Sequence, residues 1–185
     1  ILSGLVGSEM CIRDRIWEAL WAEAQKYGAC AYGTETMHVL RAEKGFIIVG
    51  QETDGTMTPD DVGLGWAIGK TKPDFVGKRS LTRPDLVKAD RKQLVGLLPV
   101  DPKVLLEEGA QIVGQANVPT GTPALGHVTS SYESAMLGRT FALAVVAAGR
   151  SRIGETLYVP MPSGDIAVKV TDPVFYDKEG ARLHG

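Results

Sequence analysis

The sequence is poor in the residue types that build metal and redox sites. Its 185 residues include two cysteines, Cys11 and Cys30, and three histidines, His38, His127 and His184. Two cysteines cannot form a disulfide scaffold or a four-cysteine zinc site, and no histidine has a second ligand at the i+4 spacing of a helical metal site. We therefore expect no metal site and a protein of a reducing compartment, the cytoplasm.

The sequence also lacks a dominant charge and a long apolar run. Twenty Lys and Arg against 22 Asp and Glu give a net charge of −2. No apolar run approaches the roughly 18–20 residues of a membrane span. The chain is therefore expected to bind neither nucleic acid nor a membrane. A hydrophobic content of 44%, with 22 glycines and 10 prolines, is typical of a globular, turn-rich β protein.

A complete nucleotide-binding loop is absent as well. Residues 63–71 (GLGWAIGKT) resemble one, but Leu64 stands where a phosphate loop needs glycine. Ile68 stands where a dinucleotide loop needs its third glycine. We therefore expect a structural strand at this position.

Nucleophilic residues are present without the patterns that activate them. Ser130 and Ser131 lack the Gly-x-Ser-x-Gly sequence of a nucleophile elbow, and Cys30, between small residues, is expected to be packed. His127 follows a glycine in a strand-like stretch and is interpreted as a structural histidine. The residues alone indicate a β-rich protein and do not identify its function.

The first fifteen residues differ from the rest of the chain. Residues 1–15 (ILSGLVGSEMCIRDR) show no sustained helical or strand period and lack the parts of a signal peptide. Their GSEMCIRDR end resembles a translated adaptor, so we treat the stretch as a non-native or disordered extension. The alternative is a genuine, frayed N-terminal arm. Residues 16–28 are predicted to form a helix that stops at Gly28.

The remaining elements are predicted from short apolar runs and turn residues. Predicted strands cover residues 46–49, 64–68, 93–100, 109–113, 126–130, 140–146, 156–161 and 166–171. A short helix is predicted at residues 74–81, and residues 37–41 fit either a helix or a strand. Thr58, Pro59 and Asp61 have the pattern of a helix N-terminus. Residues 82–92 are polar and turn-rich and are the predicted domain boundary, after which the strands predict an antiparallel barrel or sandwich.

An ordered series of short motifs resembles one known family. The motifs are MHVLRAEKG (37–45), GQETD (50–54), TP (58–59), GLGW (63–66), GHVTSS (126–131), LGR (137–139), ALA (142–144), GET (154–156) and VKVTDPVFY (168–176). Their order and spacing resemble the folate-binding aminomethyltransferases, the T-protein of glycine cleavage and its relatives. The resemblance implies an α+β fold, with the C-terminal part of a folate-binding aminomethyltransferase-like domain over residues 16–90 and a small antiparallel β-barrel over residues 91–185.

Within the family, the stretch YGTETMHVLRAEKG is most similar to the alpha subunits of heterotetrameric sarcosine oxidases. The resemblance implies that the chain is the C-terminal part of such a subunit and works with the other subunits of a hetero-oligomer on a small-molecule substrate. That complex oxidises sarcosine to glycine and peroxide, and the methyl carbon leaves as formaldehyde or as methylene-tetrahydrofolate. Tetrahydrofolate is the implied cofactor of this region, whereas FAD or FMN and NAD are implied for the complete complex outside this chain.

The resemblance implies two folate-binding residues, Trp66 and Met37. Trp66 matches a tryptophan of the folate pocket, and its alternative is a core tryptophan on a strand. Met37 occupies the position of a folate-contacting arginine, which disfavours aminomethyl transfer from a lipoyl carrier protein. The alternative functions are a glycine-cleavage aminomethyltransferase and a non-catalytic folate-binding or assembly module. The family's catalytic aspartate and pterin-binding glutamate have no counterpart in residues 16–185.

The same resemblance marks four polar residues as structural. Arg41 and Glu43 belong to a Leu-Arg-x-Glu-x-Gly run whose spacing suits an ion pair or a backbone anchor. Gln51 and Glu52 are interpreted in the same way. We therefore expect these residues to hold the fold together and not to contact the ligand.

Overall fold

The computed structural model describes residues 2–182, and the side chains from residue 10 onward. His184 lies outside the described residues. The chain divides into two compact units, residues 1–37 and residues 38–185. The first unit is helical, and the second contains all the strands that the structure describes.

Helix α1 (Leu2–Gln25) confirms the predicted helix and begins earlier than expected, so that residues 2–15 are helical and not irregular. Its C-terminus is a Schellman turn: the Gly28 amide bonds to the Gln25 carbonyl, and the Ala29 amide bonds to the Ala24 carbonyl. Gly28 has a φ of +69°, the left-handed conformation that glycine adopts without strain. The predicted stop at Gly28 is therefore confirmed.

Helix α2 (Thr34–Glu43) resolves the ambiguity over residues 37–41 in favour of a helix. Glu35 in its first turn and Arg41 in its last turn complement the helix dipole. Residues 46–49, predicted as a strand, form no strand, because the chain turns back where the Ile48 carbonyl accepts bonds from the Gln51 and Glu52 amides. A β-branched run without a neighbouring strand cannot form a sheet.

The prediction of a strand at residues 64–68 is also wrong. The structure places a 3₁₀ turn at Gly65–Ala67. Gly63 before it has a φ of +79°, which reverses the chain. The helix predicted at residues 74–81 is a five-residue 3₁₀ helix, Lys78–Thr82.

Residues 58–61, which were predicted to begin a helix, form the hydrogen bonds of a helix cap, but no helix follows them. Asp61 accepts bonds from the Thr58 amide at 2.7 Å and the Thr58 hydroxyl at 2.8 Å. The Asp61 amide returns a bond to Thr58 Oγ1 at 3.3 Å. This reciprocal pair is a capping box that closes a single turn, because Gly63 ends it at once.

Six antiparallel strands form one sheet. They are β1 (Lys92–Pro99), β2 (Gln111–Ile112), β3 (Gly126–Ser134), β4 (Arg139–Ala147), β5 (Thr156–Met161) and β6 (Gly164–Thr171). Their spatial order is β2-β3-β4-β1-β6-β5. The two edges meet where Val113, next to β2, exchanges backbone hydrogen bonds with Tyr158 of β5. The sheet therefore closes into a small barrel, and the predicted α+β class with an antiparallel barrel is confirmed.

The barrel buries apolar side chains on both of its faces. Its interior is filled mainly by aliphatic residues from all six strands, with Leu97, Ile112 and Leu157 among the largest. On the outside of β4, Phe141, Leu143 and Val145 pack with Ala42 of α2 and with the loops after it. Because β4 is covered on both faces, its residues are almost all apolar and do not alternate between apolar and polar.

Candidate functional site

Met37 lines an apolar pocket within the first unit. The pocket has a volume of about 470 Å³. It is lined by Trp17, Leu20, Trp21 and Ala24 of α1, by residues 29–33 of the following loop, and by Thr34 and Met37 of α2. The Met37 side chain is 47% exposed, so its thioether is accessible to a ligand.

The pocket is suited to a flat, uncharged group. The rings of Trp17 and Trp21 are stacked, with centroids 6.0 Å apart and planes 5° from parallel. None of the lining residues is Asp, Glu, Lys, Arg or His, so the pocket has no charged side chain to pair with a ligand. Trp17 and Trp21 were not predicted from the sequence as pocket residues, although their i,i+4 spacing places them on one helix face.

Trp66 is exposed on the second unit. It is the central residue of the Gly65–Ala67 turn, and 79% of its surface is accessible. The alternative of a core tryptophan on a strand is therefore wrong. The turn is tight, because a Cβ at Gly65 would lie 2.8 Å from Asp60 Oδ1. Trp66 thus has a free aromatic face, as a stacking residue requires.

Arg41 and Glu52 form a buried ion pair. Arg41 Nη1 lies 2.9 Å from Glu52 Oε2, and the two side chains are 10% and 0% exposed. Arg41 Nη2 donates to Ser130 Oγ at 2.7 Å, and the Ser130 hydroxyl donates to Glu52 Oε1. Glu52 also accepts a bond from the Ile48 amide at 2.7 Å. The spacing of Arg41 and Glu43 suited an ion pair or a backbone anchor, and the structure pairs Arg41 with Glu52 instead.

Gln51 holds the same loop to strand β3. Its Nε2 donates to the Thr129 carbonyl at 3.1 Å and to Glu108 Oε1 at 3.2 Å. Thr129 is the residue at which β3 and β4 shift register, and its carbonyl accepts the Gln51 bond. Gln51 therefore ties its loop to the bulge in β3.

Glu43 anchors the C-terminal segment to α2. Its side chain accepts a bond from Ser134 Oγ at 2.5 Å, and its carbonyl accepts bonds from the Phe175 and Tyr176 amides. Gly45 follows with a φ of +68°, and a Cβ there would lie 2.7 Å from the Pro173 carbonyl oxygen. The Leu-Arg-x-Glu-x-Gly run is therefore structural, as predicted.

A second buried ion pair fixes the polar stretch before the barrel. Arg91 Nε lies 3.0 Å and 3.1 Å from the two Asp61 oxygens, and Nη2 donates to the Thr56 carbonyl at 2.6 Å. Burial opposes ionisation of Asp61, but hydrogen bonds from Arg91 and Thr58 outweigh it and hold the pKa of the carboxyl below its ordinary value. Arg91 thereby ties the turn at residues 58–63 to the start of β1.

His127 is half-buried on β3. Burial and the nearby charge of Lys92 lower the pKa of the imidazole, and Asp54 opposes them. His127 is therefore neutral at physiological pH, which agrees with its interpretation as a structural histidine.

We expect acid to destabilise the protein through His127. The folded-state pKa lies below the unfolded value of about 6.5, so the unfolded state binds the proton more tightly. Stability from this group is complete above pH 6.5 and falls as the pH drops toward the folded pKa. His127→Gln should therefore lose less stability than the parent chain between pH 7.5 and pH 5, as measured by urea unfolding. Parallel pH profiles of the two proteins would contradict this expectation.

The described residues include three further candidate nucleophiles, Cys11, Cys30 and Ser131. Cys30, predicted to be packed, is exposed and lines the Met37 pocket, and Cys11 is also exposed. The Ser131 hydroxyl accepts a bond from the Leu106 amide. Among the described residues, no group of three His, Cys, Asp or Glu side chains is placed to hold a metal ion. No helix in the described part of the chain is long and apolar enough to cross a membrane.

Two family models match the chain. The glycine cleavage T-protein C-terminal barrel domain matches residues 92–177, and the GCVT N-terminal domain matches residues 9–72. The first match covers the six strands that close into the barrel. The second covers both helices from residue 9 onward and the loops up to the Trp66 turn.

Two sarcosine oxidase subunits and an aminomethyltransferase are similar to the chain over most of its length. Sarcosine oxidase subunit alpha of Corynebacterium sp. (strain P-1) is 55% identical over 173 residues, which are 92% of this chain and 18% of that protein. The corresponding subunit of Rhizobium meliloti (strain 1021) is 39% identical over 92% of this chain and 17% of its own length. An aminomethyltransferase of Clostridium botulinum (strain Loch Maree / Type A3) is 30% identical over 89% of this chain and 42% of its own length. The chain thus spans less than a fifth of the sarcosine oxidase subunits that it matches.

A solved structure shares the fold. The glycine cleavage system aminomethyltransferase T from Bartonella henselae aligns with a TM-score of 0.62 at 22% identity, over 76% of this chain and 38% of that protein. At this identity the likeness concerns the fold alone, and it agrees with the match of the two family models. The chain belongs to the glycine cleavage T-protein family and contains the C-terminal barrel domain of that family.

Proposed function

We propose that the chain contributes part of a tetrahydrofolate site to a sarcosine oxidase alpha subunit, which acts with other subunits in the oxidative demethylation of sarcosine. The products are glycine, peroxide, and formaldehyde or methylene-tetrahydrofolate. The observation that carries the proposal is the 55% identity to a sarcosine oxidase subunit alpha over 92% of the chain. We further propose that the isolated chain has little catalytic activity.

A glycine-cleavage aminomethyltransferase is the second candidate. It is supported by the match to the T-protein barrel domain and by the 30% identity to aminomethyltransferases. The thioether at Met37, in place of the arginine that the resemblance implies, argues against it. A non-catalytic folate-binding or assembly module would keep the same fold and would need neither activity.

The lining of the Met37 pocket supports the proposal of a site for the rings of tetrahydrofolate. The stacked indoles of Trp17 and Trp21 and the exposed ring of Tyr32 provide flat apolar faces, and Met37 adds a polarisable sulfur. The pocket has no charged side chain for the glutamate carboxylates of folate. When bound, tetrahydrofolate would supply the nucleophilic nitrogens that capture the one-carbon unit.

The residues of this chain would act by positioning and by excluding water. An apolar wall favours one orientation of a flat ligand. Holding the ligand next to its reaction partner makes a bimolecular step effectively unimolecular. The exposed ring of Trp66 is a separate candidate for a stacking face. We assign the flavin and the nicotinamide cofactors to parts of the complex outside this chain.

The proposal is tested in the complete assembly. A sarcosine oxidase whose alpha subunit carries this sequence is co-expressed with the remaining subunits, and peroxide and methylene-tetrahydrofolate are measured with sarcosine and tetrahydrofolate present. Trp21→Ala should shift the product from methylene-tetrahydrofolate toward free formaldehyde while peroxide formation continues. Val100→Ala, an exposed position on the barrel, serves as the control. An unchanged product ratio in Trp21→Ala would overturn the role of the pocket.

Trp66 is expected to contribute directly to folate binding. Trp66→Ala should weaken the binding of tetrahydrofolate to the assembly by about 1–3 kcal/mol, if the contact resembles other stacking contacts between a base and an aromatic ring. Trp66→Phe should retain most of the affinity because it keeps an aromatic face. The affinity is measured by quenching of tryptophan fluorescence, with Val87→Ala as an exposed apolar control. Equal affinities of Trp66→Ala and the parent protein would remove Trp66 from the site.

A further inference from the structure

A basic segment interrupts an otherwise acidic chain. Between residues 70 and 92 there are eight Lys and Arg against three Asp, a local charge of +5, although the whole chain carries −2. The segment is largely exposed and contains no strand before Lys92. A local excess of positive charge on an acidic protein attracts anions to that surface.

Some of these basic side chains already have ion-pair or hydrogen-bond partners within the chain. Arg91 is paired with Asp61, and Lys78 donates to the carbonyls of Lys72 and Pro73 at 2.7 Å and 2.9 Å. Arg79 and Arg83 differ, since neither has a carboxylate within 4.0 Å among residues 10–182. Both are exposed, so their guanidinium groups are free to bind a ligand.

Arg79 and Arg83 line one cavity. The cavity has a volume of about 430 Å³ and is bounded by Arg79, Ser80, Thr82 and Arg83. The Thr82 hydroxyl donates to the Arg79 carbonyl at 2.9 Å and holds the 3₁₀ turn that brings the two arginines together. None of the three aspartates of the segment lines the cavity.

We propose that this cavity is a binding site for an oxyanion carried by a small ligand, a carboxylate or a phosphate. Two guanidinium groups present planar pairs of donors that match both oxyanions, and charge-assisted hydrogen bonds of this kind are the strong ones. The Ser80 hydroxyl is a further donor at the same wall. The site goes beyond the proposed folate function, because it contains neither Met37 nor Trp66.

The site is tested by calorimetric titration of the full chain with two probes, triglutamate and inorganic phosphate. The parent chain should bind at least one probe, and the stronger one identifies the oxyanion as carboxylate or phosphate. Arg79→Gln with Arg83→Gln should weaken that binding about a hundredfold, since each of the two lost charge-assisted bonds costs about tenfold. The control is Lys103→Gln with Lys169→Gln, which removes the same charge at two exposed lysines outside the cavity.

Two results would overturn the proposal. One is the absence of binding of either probe to the parent chain. The other is an equal loss in both double variants, which would mean that net charge and not the cavity holds the anion. All four positions are solvent-accessible, so both variants should unfold at the temperature of the parent chain, and a thermal melt verifies this. Neither result bears on tetrahydrofolate binding, which is read from tryptophan fluorescence.

Discussion

Glu52→Ala is expected to lower the free energy of unfolding by about 3–5 kcal/mol, because it leaves the Arg41 guanidinium buried without its counter-charge. The substitution also removes the acceptor of the Ser130 hydroxyl and of the Ile48 amide. Arg41 Nε lacks a hydrogen-bond partner among the described residues, and the bonds that the guanidinium would keep, to the Phe46 carbonyl and Ser130 Oγ, are to uncharged groups. Urea unfolding followed by circular dichroism measures the change.

Two controls distinguish the cost of leaving a buried charge unpaired from the cost of losing an ion pair at the surface. Glu155→Ala removes the exposed partner of Arg152 and should cost less than about 1 kcal/mol, because water screens exposed pairs. Arg41→Met combined with Glu52→Leu should recover much of the loss, since an apolar pair leaves no buried charge. If Glu52→Ala lowered the free energy of unfolding no more than Glu155→Ala does, the buried pair would not be what holds the loop after α2 on strand β3.

Gly126→Ala is expected to cost at least about 3 kcal/mol and to reduce the yield of folded protein sharply. A Cβ at this position would lie 1.9 Å from the Val145 carbonyl oxygen and 2.9 Å from Val146 Cα. Both neighbours are backbone atoms of β4, which pairs with β3 through Gly126 and Val146. The two strands would therefore have to separate at the Gly126–Val146 pair.

Other glycines of the barrel domain provide the comparison. Gly96→Ala should also be costly, since its Cβ would lie 2.5 Å from the Asp172 carbonyl oxygen and 2.6 Å from Phe175 Cζ. Gly114→Ala should change the free energy of unfolding by less than about 0.5 kcal/mol, because only Leu125 Cδ1 at 3.7 Å is within contact distance. Thermal and urea unfolding of the three variants test the ranking. A stable Gly126→Ala protein would mean that β3 and β4 can separate locally at little cost.

The strands of the barrel could be predicted from the sequence to within a few residues. β5 coincides with its predicted span, and β1 and β4 differ from theirs by one residue at each end. Each is a run of apolar and β-branched residues bounded by glycine or polar turns, which is local information. Residues 46–49 carry a similar run and form no strand, because strand formation also needs a partner that local sequence does not specify.

The candidate site was predictable only in part. The family resemblance pointed to Met37 and Trp66, and the structure leaves both exposed. Their roles in folate binding remain predictions. The aromatic wall of Trp17, Trp21 and Tyr32 could not be assigned in advance, because a pocket depends on how the loop after α1 returns along the helix.

The local features could therefore be predicted from the sequence: where α1 stops at Gly28, the capping box at residues 58–61, and the spans of the barrel strands. Each depends on neighbours within a few positions along the chain. The pairing of Val113 with Tyr158 that closes the barrel could not be predicted in this way, and neither could the hydrogen bond from Ser130 to Glu52, 78 residues away. Such contacts join side chains and strand edges that are distant along the chain, and packing of the whole domain selects their partners.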